Sequence, residues 1–310
     1  MDATLAHLPS PFLNVDSAKH DGAPLGPDPG SGLSRLIRRL ALIGVAMMLA
    51  LAVVSAYLRL SAAGIGCTPW PACYQEQSVA TAHHHHPVAR LAHRVLASGL
   101  GIVVITIVAA SVAMRPRRTV VLWTSLALLA LTGLLAALGR ATSNTAGPGI
   151  ALANLLGGMA MAALLWWLAI QAKREPGQRG APLRWPVAAT VVLLLLQVSL
   201  GGVISTTRST AACASLPLCE SSVSDAAVAV HVAHRATAVA LFIAGAALAG
   251  ALLRRNALRS PLGWTFVALV GTQIALGAAM VVLKFPLWLA LAHHAGALLL
   301  LLLAVSVLAG

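Results

Sequence analysis

Acidic residues are nearly missing from this chain, which has 8 Asp and Glu against 21 Lys and Arg in 310 residues. Charge of either sign is scarce, at 9% of residues, while 59% are hydrophobic and the mean hydropathy is +0.86. That shortage excludes a soluble globular protein and implies a polytopic membrane protein embedded in the lipid bilayer. The few acids fall outside the apolar runs, so they line no intramembrane path of the kind a transporter needs. The net charge of +13 does not indicate nucleic acid, because the basic residues form short clusters between apolar runs, not one stripe. Cysteine is limited to four residues, Cys67/Cys73 and Cys213/Cys219, each pair with five residues between. Neither pair is a C-x-x-C motif, and no acidic cluster completes a metal set. Two readings of them stand: disulfides on an oxidising face, or reduced pairs carrying redox chemistry.

What is abundant is apolar helix-forming sequence. Residues 1–34, rich in Pro, Gly, Ser and Asp, predict a disordered tail. Arg35, Arg38 and Arg39 then flank an apolar run that ends at residue 58. Seven more runs follow, at 88–114, 119–139, 149–172, 185–205, 226–253, 262–283 and 287–308. Each is near the ~20 residues that span a bilayer. The prediction is an all-α polytopic membrane protein with eight transmembrane helices. The basic clusters, such as Arg115, Arg117, Arg118, Lys173, Arg174, Arg254 and Arg255, fall on the tail and on each connection from an even to an odd run. Positive-inside then puts both termini in the cytoplasm and the cysteine segments outside, as expected for a bacterial inner (plasma) membrane. The segment after the first run, 59–74, is broken by Gly and Pro, and its Trp70 and Tyr74 suit an interface. His83–His86 follow, four adjacent histidines that read as an adventitious metal binder or a cloning remnant before a specific metal site.

The chain repeats itself. An offset of 146 carries Cys67, Pro71 and Cys73 onto Cys213, Pro217 and Cys219, and one of 141 carries His93-Arg94 onto His234-Arg235. Offsets of 138 and 139 carry 137–139 onto 275–277 and 151–154 onto 290–293. These matches predict two tandem pseudo-symmetric four-helix bundles in parallel orientation, at 35–172 and 185–310, joined by a cytoplasmic linker at 173–184. Small-residue runs at Gly157-Gly158 and Gly245-Ala246-Ala247 permit close helix packing and a homo-oligomer.

Within this hydrophobic background, His231, His234 and Arg235 occupy one helix, and ionisable groups there mark a functional site. His93, Asn154, His234 and His293 each lie roughly 10 Å, five to eight residues, inside their helices from the cysteine side. His234 and His293 can pair across a bundle core as two axial ligands of haem iron, where zinc would need two more ligands. His294 competes with His293 for that role, and His231 reads as an interfacial or supporting histidine. Arg94, Arg208 and Arg235 can meet haem propionates or extend to the interface. Asp225 reads as a helix N-terminal charge.

With Arg59-Leu60-Ser61 through Gly64, Cys67-x-x-Trp70-Pro71-x-Cys73, two His-Arg pairs, a second cysteine loop and the helix-8 histidine in this order, the chain resembles the haem A synthase family (CtaA type). The resemblance covers nearly everything after the tail. It implies oxidation of the C8 methyl of haem O to a formyl group, making haem A for the cytochrome oxidase assembly machinery, with haem O synthase as a neighbouring partner. It implies haem b on His234 and His293 in the C-terminal half, and His93 as the catalytic-side histidine for substrate haem O in the N-terminal half. It makes Cys67/Cys73 and Cys213/Cys219 disulfide-forming or redox-active. The chain departs from that pattern at Arg90, where a glutamate is expected, and at Asn154, where a second histidine is expected. Arg cannot act as a carboxylate base, and an Asn amide is a poor iron ligand. The alternative is a catalytically inactive haem-b-binding assembly factor or electron carrier.

Overall fold

The computed structural model describes residues 29–62, 65, 87–141, 147–174, 184–217, 219, 225–255 and 260–309. The sites at Cys67, Cys73, Trp70, Tyr74, Glu76 and His83–His86, most of the tail (1–28) and most of the linker (175–183) lie outside them.

The described chain is eight long apolar helices, each able to cross a membrane by length and composition. They are α1 (Pro29–Ala62), α2 (Pro87–Ala113), α3 (Thr119–Ala141), α4 (Pro148–Lys173), α5 (Arg184–Thr206), α6 (Asp225–Arg255), α7 (Ser260–Val282) and α8 (Leu287–Ala309). The chain is therefore an all-α multi-pass membrane protein, as its composition predicts. A helix pairs every internal backbone group within its own segment, as hydrocarbon demands. Proline stands in the first turn of α1, α2, α4, α5 and α7, at Pro29, Pro87, Pro148, Pro186 and Pro261. Its fixed φ favours the first turn, and no amide hydrogen is needed there. For the same reason α1 starts at Pro29, several residues before its apolar run begins. Hydroxyls inside the helices turn back on their own backbone: Thr106 donates to Ile102 O, Ser125 to Val121 O and Thr190 to Pro186 O.

The packing forms two closed rings. In one, α1 packs on α2, α2 on α3, α3 on α4 and α4 on α1; in the other, α5 packs on α6, α6 on α7, α7 on α8 and α8 on α5. In each ring the even helices face each other on one diagonal and the odd helices on the other. The rings meet through α1, α4, α5 and α8. There Trp166 of α4 donates its indole N–H to Ser306 Oγ of α8 at 2.7 Å, which satisfies both polar groups between the rings. The main apolar core includes Ile37, Val45, Leu165, Leu168, Leu298 and Leu301. On α2, α4 and α8 the buried residues are mostly deeper than His93, Asn154 and His293, so the histidine level lies at one end of the core. At the opposite end Arg118 closes α4, donating to the Gln171, Ala172 and Arg174 carbonyls. A guanidinium on the C-terminal carbonyls offsets the helix dipole.

Candidate functional site

The site grows from four side chains on four successive helices. His234 lies nine residues into α6 and His293 six residues into α8, on one diagonal of the second ring. The two imidazoles are within electrostatic reach of each other. On the other diagonal, Gln197 of α5 and Gln273 of α7 each stand nine residues before the end of their helix. Because odd and even helices run in opposite directions, all four reach the same end of the bundle.

Gln197 Nε2 is 3.2 Å from His234 Nε2. His234 Nδ1, however, is buried without a partner, and so is Gln197 Oε1. His293 Nδ1 and Gln273 Nε2 are in the same condition. With Arg59 Nε, these are all five of the buried unpartnered side-chain nitrogen and oxygen atoms among the described residues. Two glycines make room for the rings. A Cβ at Gly201 would lie 3.1 Å from His234 Cε1, and one at Gly277 would lie 3.6 Å from His293 Cε1.

His294 stands apart from this arrangement. It lies within electrostatic reach of Arg59 on α1, toward the other ring, while His293 has both the glycine recess and the unpartnered nitrogen. His231 and Arg235, one turn apart on α6, close the end nearest the segment after α5. His231 Nε2 is 2.9 Å from Ser209 O, and Arg235 donates to the carbonyls of Pro217, Ser215 and Cys213. Arg235 is thereby committed to the segment after α5, where Cys213 and Cys219 form a disulfide with Cα atoms 4.7 Å apart. A short 3-10 turn at Thr210–Cys213 leads into that loop.

In the first ring, His93 on α2 and Asn154 on α4 hold the corresponding diagonal, and both are half-buried. Arg90 and Arg94 lie on the exposed side of α2. The histidines and arginines were legible from sequence; Gln197 and Gln273 were not singled out. Their signal is a Gln-x-x-Leu-Gly motif that occurs at 197–201 and again at 273–277.

Over residues 88–305, from α2 to α8, the chain matches the sequence profile of the COX15-CtaA family, described as a cytochrome oxidase assembly protein. A heme A synthase of Shewanella oneidensis is 28% identical over 306 aligned positions, covering 82% of this chain and 90% of that protein. With the matched span carrying seven of the eight helices and the whole histidine–glutamine ring, the chain belongs to the COX15-CtaA family of cytochrome oxidase assembly proteins.

Proposed function

We propose that this chain is a haem A synthase-type oxidoreductase that oxidises the C8 methyl of haem O to a formyl group, supplying haem A for cytochrome oxidase assembly. One observation carries the reading: among the described residues, four of the five buried unpartnered side-chain nitrogen and oxygen atoms belong to His234, His293, Gln197 and Gln273. In hydrocarbon an unsatisfied polar group costs several kcal/mol. Four such atoms at one level of a bundle fit a polar or metal-bearing group that completes them. Two imidazoles on opposite helices are a donor set that would hold a haem iron. Among the described residues no group of three or more His, Cys, Asp or Glu side chains comes together to hold a bare ion.

In this reading His234 and His293 hold haem b, which when bound supplies one-electron transfer toward the substrate. The surrounding chain orients and seals the site. The glycine recesses at Gly201 and Gly277 set how close each imidazole approaches the neighbouring odd helix. His231 and Arg235 fasten the disulfide loop over the outer end. The first ring receives haem O, with His93 as the residue that meets its iron. Arg94, exposed beside His93, would pair with an anionic propionate there. The basic clusters put both termini in the cytoplasm of a bacterial inner membrane and the cysteine loops outside. Partners are then the lipid bilayer, haem O synthase as the donor and the oxidase assembly machinery as the acceptor; the small-residue faces permit a homo-oligomer.

A second reading, a haem-b-binding assembly factor or electron carrier without catalysis, draws on a specific difference. Asn154 stands opposite His93 where His293 stands opposite His234, and Arg90 faces outward at the position of the family glutamate. Mass spectrometry of haems extracted from protein purified out of a host that makes haem O separates the two. Haem A or its hydroxylated precursor beside haem b is the expected result. Haem b alone with untouched haem O selects the second reading, and no haem at all overturns both.

A further inference from the structure

Gln197 and Gln273 repeat one local design. Each is followed four residues later by a glycine on the same helix face, and the histidine ring of the next even helix lies against that glycine. An amide in a transmembrane helix is costly and is retained where it has a partner to hold. Gln197 already touches one nitrogen of His234. Gln273 stands one turn from Gly277, against which the His293 ring lies, and its amide packs so closely against Gly296, three residues beyond His293, that a Cβ there would overlap it. Each glutamine keeps one buried amide atom unpartnered, on the same level as the two unpartnered imidazole nitrogens.

The first ring carries the same packing without the polar groups. Offsets of 138 and 139 place Leu135 at the position of Gln273, Asn154 at that of His293 and Gly157 at that of Gly296. The fold agrees independently: a Cβ at Gly157 would lie 2.7 Å from Leu135 Cδ2, reproducing the contact of Gln273 with Gly296. Ligand position and supporting position therefore differ together between the halves: His and Gln in α8 and α7, Asn and Leu in α4 and α3.

We infer that Gln197 and Gln273 are the positioning residues of His234 and His293, each forming a cradle with the glycine four residues on, and that Leu135 marks the same cradle emptied in the N-terminal half. An amide has a donor and an acceptor end, so each can hold its histidine through whichever ring nitrogen the metal leaves. An accepting partner on that nitrogen fixes the ring and strengthens it as a donor to the iron. The inference rests on the haem-binding reading of His234 and His293.

The test uses the full-length protein purified with its haem, comparing Gln197→Leu, Gln273→Leu, the matching Gln→Glu variants and the two His→Ala variants. The readouts are haem b per polypeptide, the electron paramagnetic resonance signal of the oxidised low-spin iron and its reduction potential. The Leu variants are expected to keep at least about half of the haem while the low-spin signal broadens or shifts and the potential rises; the Glu variants, which retain an acceptor, return both toward the parent. Unchanged signal and potential in both Leu variants overturn the cradle. Complete haem loss in a Leu variant supports it only if the Glu variant restores binding, and overturns it otherwise. Full haem retention in both His→Ala variants overturns the underlying reading, and the cradle with it. Haem-free His variants beside unaltered Leu variants overturn the cradle alone.

Discussion

An imidazole buried in a helix bundle keeps its place when both ring nitrogens have work. His231 has Nε2 on Ser209 O and no buried ring nitrogen without a partner. His234 and His293 differ because each retains a buried nitrogen without a partner. Replacing either with Ala should abolish the low-spin haem absorption of the purified protein, and an unaltered spectrum in both variants would sink the site. Arg235 acts differently from its neighbour His234. It spreads three hydrogen bonds over the carbonyls of Cys213, Ser215 and Pro217, so Arg235→Ala releases the disulfide loop. Such charge-assisted bonds at a half-buried position contribute about 1–2 kcal/mol together. The variant should melt a few degrees lower in detergent and be cut faster by protease after α5; unchanged melting and cleavage would show that the loop is held by other contacts. The sequence pointed to Arg235 through the repeated His-Arg pair but not to its use, because hydrogen-bond partners about 20 residues away are not visible in local spacing.

At the scale of the element, the helices were readable almost to their ends, because hydrophobic length is a local property and proline marks a first turn locally. What periodicity could not supply was the face each helix turns inward. Several of these helices are apolar all round, so an amphipathic stripe does not mark their buried side. Gln197 and Gln273 were passed over for that reason: a single amide in a leucine-rich run reads as an isolated polar residue until the next helix is laid against it. The relation between α3–α4 and α7–α8 yields a test at this same scale. Asn154→His alone should bind a second haem weakly, with a disordered ligand field. Adding Leu135→Gln should raise that occupancy severalfold, as read by haem per polypeptide. Equal occupancy in single and double variants would show that the two helix pairs are not interchangeable.

For the whole molecule, the decisive feature is that two rings share α1, α4, α5 and α8 as their contact surface, which leaves α6 and α8 on one diagonal of the second ring and α2 and α4 on one diagonal of the first. Every candidate ligand then lies toward the end that carries the disulfide loop, so the groups that His93, His234 and His293 would hold would sit at one end of the two rings. The haem extraction experiment is the test at this scale, since its product depends on both rings working together. Composition alone determined that the chain is an all-α membrane protein, and repeated spacing determined which histidines stand at one depth, because length and register along a helix are properties of the chain itself. Only the tertiary structure decided that His293 and not His294 faces the recess, that Arg235 is committed to the loop, and that glutamines from α5 and α7 complete the ring. Those are matters of rotation about helix axes and of which helices become neighbours, and in a helix apolar on every side no local pattern encodes either.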